Sequence, residues 1–326
     1  MLEQSPRDAP LLAPTGAGAA AVATSDTAMA LGAPEEAAGV AGPAAAYERP
    51  KLGLAFWLPV VWIVLLVAGA LLAPVLTAKG LIADPNRIDL QRKYSLANGR
   101  NWLGADHLGR DQLARLVWGA RVSLPVGFAS VALGLSIGGT IGLLTGYLKG
   151  WVDNVFMAIM DIVLAFPALL LALSIVTFMD RKDVPTISLA IGLIGIPAVA
   201  RLVRASTLSV REREFVLASR ALGARHGRIV VREILPNVVP PVLSFAVIGV
   251  AVAIAGEAYL AFVGVSVPLP TATWGGMILD ANASNGLEEH PFQVFLPCVV
   301  LVLTIVALYL IGERIGRLFD VREQAL

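Results

Sequence analysis

The chain has 326 residues, of which 57% are hydrophobic and 15% charged, with a formal net charge of +1. A soluble domain carries about 25% charged residues, so this composition, with a mean hydropathy of +0.75, points to a membrane bundle rather than to soluble domains. The near-neutral balance supplies no global attraction to nucleic acid, and the single cysteine, Cys298, excludes an intrachain disulfide and reads as a small hydrophobe in an apolar run.

Residues 1–48 are rich in Ala, Gly and Pro and almost lack aromatic residues. Such a segment cannot bury enough apolar surface to offset the entropy of ordering, and a disordered tail is predicted. It has no basic start leading directly into an apolar core and a cleavage site. The first span is therefore expected to act as an uncleaved insertion signal. A helix needs about 20 apolar residues to cross ~30 Å of hydrocarbon. Six segments meet or approach that requirement: residues 54–76, 124–148, 155–179, 184–200, 238–263 and 292–312. Each must be helical, because lipid offers backbone amides no hydrogen-bond partner. The fourth is short and carries Pro197.

Within the connection over residues 77–122, residues 108–121 predict an amphipathic helix. Its stripe is Leu113, Leu116, Val117 and Ala120. It is expected to lie on the outer membrane surface, the alternative being part of a docking face for a binding protein. The second span carries Gly134, Gly138, Gly142 and Gly146 at i+4 spacing. Small residues on one face let another helix approach closely, so these predict a packing seam, within the chain or against a second subunit. Asp161 and Glu257 fall inside predicted spans. A mid-bilayer Asp costs about 2.5–3.5 kcal/mol by insertion scales, so both are expected to face protein or water. They serve either as interhelical hydrogen-bond partners or as a proton or cation relay, although no Lys, Arg or His is predicted at comparable depth. Residues 268–280 are too short to span and predict a re-entrant or mouth-lining helix, with Trp274 as an interface anchor.

The fourth and fifth spans are separated by a polar, basic stretch. Residues 212–222 predict one helix, with Phe215, Ala218 and Leu222 as a narrow apolar stripe. Gly223 caps it. Residues 228–235 predict a second short helix that Pro236 stops. Ala218, Ser219, Ala221, Gly223 and Ala224 keep one surface low enough to enter a groove. A solvated juxtamembrane loop held by anionic lipid is one reading. A docking element for a soluble partner is another. Helix-turn-helix binding to DNA is disfavoured by the membrane tether and the shortness of the helices.

The stretch ASRALGARHGRIVVREILPN, residues 218–237, resembles the EAA motif of ABC-transporter permeases, the cytoplasmic loop that docks into a cleft of the ATPase subunit. Ala218, Gly223, Ile229, Leu235 and Pro236 match the pattern. Leu217 stands where the motif has Glu, Ser219 replaces its second Ala, and Glu233 occupies a position where many members have His. Four further stretches resemble dipeptide and oligopeptide importers, in the family's order. They are LGADHLGRDQLARLVWGARVSL, GYLKGWVDNVFMAIMDIVLAFPALLLAL, PAVARLVRASTLSVREREFV and GEAYLAFVGVSVPLPTATWGGMI. The resemblance covers residues 56–322 and is that of the C-type inner-membrane subunit.

The resemblance implies an all-α helix bundle of the type I importer permease fold, with a core over residues 123–322 and a coupling loop over residues 205–236. It implies ATPase docking by Phe215, Leu217, Ala218, Ser219, Ala221, Leu222, Gly223, Ala224, Arg228 and Pro236. It implies a second homologous permease, two ATPase subunits that bind ATP and Mg, and an extracytoplasmic substrate-binding protein. Dipeptides, oligopeptides, glutathione and nickel are all substrates in the family. The chain itself has no Gly-Lys dipeptide, so no P-loop of the usual form. His107, His226 and His290 lie far apart in sequence, with no metal-ligand spacing. No cofactor is therefore expected in this chain.

With six spans both termini fall on one side. The basic stretch and Arg314, Arg317 and Arg322 place that side in the cytoplasm by the positive-inside rule, and residues 266–291 carry no Lys or Arg. The eight Lys and Arg of residues 77–122 oppose this assignment. Two rival functions remain at this stage: an ion-coupled secondary transporter using Asp161 and Glu257, and a membrane anchor without a pathway.

Overall fold

The computed structural model describes residues 53–97, 99, 101–284 and 286–324. The tail expected over residues 1–48 lies outside them. In chain order the elements are α1 (Leu54–Ala78), a 3-10 turn (Leu90–Arg92), α2 (Gln112–Leu148), α3 (Gly150–Ala165), α4 (Ala168–Phe178), α5 (Val184–Arg211) and α6 (Glu214–Ala221). Then come α7 (His226–Arg228), a π turn (Ile229–Ile234), α8 (Leu235–Phe262), α9 (Trp274–Ala283), α10 (Gly286–Glu289) and α11 (Phe292–Gln324). Among the described residues there is no strand, only an isolated bridge between Ala105 and Asp111. Five helical runs are long and apolar enough to cross a membrane, or six if α3 and α4 together make one span. The chain is a multi-pass, all-α membrane bundle.

Side-chain oxygens start three of the helices. Asp111 accepts from the Ala114 amide at 2.7 Å, Asp183 from Thr186 at 3.0 Å, and Thr273 from Gly276 at 2.9 Å. Each satisfies an amide that the first turn leaves orphaned. Helix α2 packs along α5, α8 along α11 and α2, and α1 covers α2 and α11. One apolar cluster gathers Leu116, Leu124, Ile254, Trp274 and Leu308. A second, where α2 ends, gathers Tyr147, Val203, Val216, Ile229 and Ile234.

Several expectations are corrected. The third span is not continuous: α3 and α4 meet at a bend of 87°. Pro167 lacks an amide donor and pushes Phe166 into extended backbone at φ −84°, ψ 137°. The fourth span does not end at residue 200; α5 runs through Pro197 to Arg211. The amphipathic segment is no separate surface helix. It is the first turns of the 37-residue α2, and Leu116 and Ala120 are buried inside the bundle. At 1.5 Å per residue α2 is about 55 Å long, well beyond the ~30 Å of hydrocarbon. Trp274 is not an interface anchor. It is fully buried, and its indole N–H donates to the Leu116 carbonyl at 3.1 Å. The indole lies beside Gly119, where an added Cβ would come within 3.1 Å of the ring. Pro236 does not stop a helix either. It sits in the first turn of α8, where its missing amide is tolerated. His226–Phe262 therefore forms one helical run through the π turn.

Candidate functional site

The basic stretch folds as a distinct unit at the end of the bundle. Helix α6 closes with Gly223 at φ +79°. The Gly223 amide donates to the Arg220 carbonyl at 3.0 Å and the Ala224 amide to the Ser219 carbonyl at 3.1 Å. This paired closure satisfies two terminal carbonyls and needs a left-handed residue, which glycine supplies without a Cβ penalty. The expected stripe of Phe215, Ala218 and Leu222 faces out: Phe215 is 39% and Leu222 88% exposed. Val216 is the helix residue that packs inward, together with Ile229 and Ile234 from the following turns. Val216 joins the cluster of Tyr147, Val203 and Val210, from elements distant in sequence, and this leaves the Phe215, Ala218 and Leu222 side outward. Leu217, Ala218, Ala221, Gly223, Arg228 and Pro236 are exposed as well, while Ser219 and Ala224 are half-buried.

Three contacts fasten this unit to the bundle. Tyr147, buried at the end of α2, shares a 2.6 Å hydrogen bond between its hydroxyl and His226 Nδ1. The guanidinium groups of Arg211 and Arg220 lie 5.8 and 5.9 Å from the Tyr147 ring centroid, within cation–π range. Lys149 Nζ donates to Glu212 at 2.9 Å, and this ammonium holds the Glu212 carboxyl below the usual carboxylate range. Arg204 clamps Asp153 with two bonds of 2.5 and 2.6 Å, a bidentate geometry that ties α5 to α3. Sequence alone singled out neither Tyr147 nor Asp153. A tyrosine and a carboxylate flanking the Lys149–Gly150 turn were the available signal.

The glycine seam closes within the chain. Gly138, Gly142 and Gly146 press on the α5 backbone and side chains; a Cβ on Gly138 would lie 2.6 Å from the Ile196 carbonyl oxygen, and one on Gly146 2.7 Å from Thr207 Cβ. Gly134 is looser, with Gly192 O at 3.7 Å. Reciprocally, a Cβ on Gly192 would meet Leu133 at 2.8 Å.

The two intramembrane carboxylates have different surroundings. Glu257 is fully buried and accepts from the Ser123 hydroxyl at 3.0 Å and the Ser266 hydroxyl at 3.1 Å. It ties α8 to α2 and to the loop before α9. Asp161 is exposed and pairs with Arg201 Nη2 at 2.5 Å. The expectation that no basic residue lies at its depth is overturned, because α5 continues past residue 200 and carries Arg201 beside α3.

At the other end of α2, Asp106, Arg110, Arg115 and Asp280 form a buried network that sequence reasoning missed. Arg110 Nε donates to Asp106 at 2.6 Å and its Nη2 binds Asp280. Arg115, 1% exposed, lies 3.7 Å from each carboxylate. Asp106, His107 and Asp280 approach within 4.8 Å of one another, a grouping that can hold a metal ion in other settings. Here the two guanidinium groups already occupy the carboxylates and repel a cation.

Residues 138–324 match the family model described as binding-protein-dependent transport system inner membrane component. The chain belongs to this family. It is 35% identical over 251 residues to the dipeptide transport system permease protein DppC of Alkalihalophilus pseudofirmus, covering 77% of this chain and 80% of that one. It is 34% identical over 235 residues to the glutathione transport system permease protein GsiD of Pectobacterium atrosepticum, covering 72% and 77%. A chain of the MetNI methionine ABC transporter, solved in inward-facing conformations, shares the fold. Its TM-score is 0.51 at 22% identity, covering 64% of this chain and 97% of that one. As a member of the family, the chain is a membrane-embedded transport component with an importer permease fold.

Proposed function

We propose that the chain is one of two homologous membrane subunits of an ATP-driven importer for dipeptides or oligopeptides. The observation that carries the reading is the unit from Glu212 to Pro236, which presents small and apolar side chains outward while Tyr147 and Lys149 fasten it to α2 and the α2–α3 turn. A peptide substrate is supported by the dipeptide permease among the relatives. On this reading two ATPase subunits bind ATP and Mg, each gripping one such unit. Both termini and the basic unit lie in the cytoplasm, and the chain holds no cofactor. An extracytoplasmic binding protein delivers substrate to the opposite face. Closure of the ATPase pair moves the unit, and the connected helices rock as rigid bodies to alternate access.

Bulk on the outward face tests this. Ala218→Asp puts a charge into the docked contact, at about 1–3 kcal/mol if unpaired. Gly223→Arg strains a residue at φ +79°. Both variants should reach normal membrane levels, co-purify poorly with the ATPases and lose substrate-stimulated ATP hydrolysis in vesicles. Wild-type binding and coupling in both would leave the unit a solvated loop.

The carboxylates separate this reading from ion-coupled transport. Asp161→Asn and Glu257→Gln keep hydrogen-bonding shape and lose charge. Uptake by the assembled complex should persist within about fivefold, the scale of a ~1 kcal/mol contact. Abolished uptake with intact assembly would instead favour a relay.

A further inference from the structure

A groove of about 390 Å³ runs between the first turns of α1 and the later turns of α11. Helix α11 lines it with Leu303, Val306, Leu310, Arg314 and Arg317. Steps of three and four residues put these side chains on one face of the helix, about 21 Å long from Leu303 to Arg317. That face is turned away from the bundle. Helix α11 meets α8 through Gly312 and Gly316 on its other side, where an added Cβ would come within 2.6 Å of Ile248 and 2.9 Å of the Ser244 hydroxyl. Leu58 and Trp62 of α1 form the opposite wall. The Trp62 indole N–H donates to the Thr304 hydroxyl at 3.2 Å, which joins the two helices, and Ala307 is the buried residue of the lining.

The groove changes character along its length. From Phe292 to Gly312 helix α11 carries no Asp, Glu, Lys or Arg. That stretch rises about 31 Å, matching the ~30 Å of hydrocarbon. Leu303, Val306 and Leu310 therefore lie at hydrocarbon depth, and Leu58, Leu303 and Val306 are exposed there. Glu313, Arg314 and Arg317 begin the headgroup region. Arg317 Nη2 pairs with Glu313 at 2.5 Å, so those two charges cancel. Arg314 has no ion pair among the described residues and leaves one positive charge at the end of an apolar channel.

We infer that the groove holds an acyl chain of an anionic glycerophospholipid, with the lipid phosphate on the Arg314 guanidinium. A guanidinium presents a planar fork of donors that matches two phosphate oxygens. The acyl chain packs on the exposed wall and supplies the dispersion contacts that an open groove lacks. A phosphodiester carries one negative charge, and a headgroup without an amine leaves it uncompensated, equal to the single charge of Arg314. A choline headgroup adds a cation, and the carboxylate at this end, Glu313, is already paired with Arg317. A free phosphate gains nothing from the apolar length. The inference rests on the place of the chain in the membrane, and neither on the importer reading nor on which side the termini lie.

Native mass spectrometry of the full chain in mild detergent tests this, with phosphatidylglycerol and phosphatidylcholine of identical acyl chains offered in equal amounts. Phosphatidylglycerol should be retained about fivefold more than phosphatidylcholine, the scale of one basic residue against an anionic headgroup. Arg314→Gln should abolish that preference. Lys182→Gln removes an equal charge from an exposed position between α4 and α5 and should leave the preference unchanged. Val306→Trp fills the groove below the charge and should lower retention of both lipids, to which attraction by surface charge alone would not respond. Equal retention of the two lipids by the unaltered chain, an equal fall in Lys182→Gln and Arg314→Gln, or full retention in Val306→Trp overturns the proposal. In native membranes a benzophenone side chain placed at Leu58 should capture a phospholipid. Capture of a polypeptide there would give the groove to a protein partner and overturn the proposal as well.

Discussion

Replacing Gly142 by leucine should remove most of the folded chain from the membrane. A Cβ at this position lands on the Ala200 carbonyl oxygen and comes within 2.9 Å of both the Arg204 amide nitrogen and Val203 Cβ. Two of these three atoms are backbone, so no rotamer change relieves the clash and α2 and α5 must separate. Overpacking a core costs about 1–3 kcal/mol, occasionally more, and a main-chain collision belongs at the top of that range. The seam also brings Arg204 to Asp153, so its separation should loosen the bidentate clamp as well. Gly139→Leu is the control: a Cβ there meets nothing within 4 Å. Membrane levels by immunoblot and thermal unfolding of the purified chain measure both variants. Equal levels and equal unfolding temperatures would show that the helices do not need this approach.

Asp280→Ala should destabilise the far end of the bundle by about 3–5 kcal/mol, the cost of breaking a buried ion pair from one side. Arg110 and Arg115 are 3% and 1% exposed, and with Asp280 removed they share only Asp106. The loss falls on the tie between α9 and the loop leading into α2. Asp280→Asn keeps an acceptor and should cost less. The exposed pair Arg317–Glu313 provides the contrast: Glu313→Ala should change stability by about 1 kcal/mol or less. Thermal unfolding followed by tryptophan emission reads the effect, since Trp274, the first residue of α9, is fully buried. If Asp280→Ala unfolds no earlier than Glu313→Ala, the network does not hold α9 in place.

The features legible in the sequence were those with a local period or a local chemistry. Long apolar runs marked the spans, and four glycines at i+4 spacing marked a close-packed face. Gly223 marked the end of a short helix because a left-handed residue is needed within that same turn. The break at Phe166–Pro167 had a local signal too, outweighed by the apolarity of the run around it. What stayed hidden were pairings between distant residues. Asp161 meets Arg201 across 40 positions, Tyr147 meets His226 across 79, and Arg110 meets Asp280 across 170. Each depends on where two helices cross, which no window of sequence contains. Trp274 was misread for the same reason. A tryptophan near a membrane boundary suits the interface equally well, and only the space beside Gly119 sends it inward. Pro236 was misread because a proline in a first turn and a proline after a last turn look alike until the helix is seen to continue.

The uninterrupted run from His226 to Phe262 has a mechanical consequence. Its 37 residues span about 55 Å at 1.5 Å per residue. One end carries the bond to Tyr147 and the other carries Glu257, held by Ser123 and Ser266. A tilt of about 5° about either end displaces the other by roughly 5 Å, a distance comparable to one helical turn. Pro240 and Pro241, inside α8, remove amide donors about 20 Å along the run from His226, so bending compliance is concentrated there rather than in the proline-free length beyond. The run is thus a continuous mechanical link between the Tyr147 and Glu257 contacts, tied to α11 on the way by the Ser244 hydroxyl, which donates to the Gly312 carbonyl.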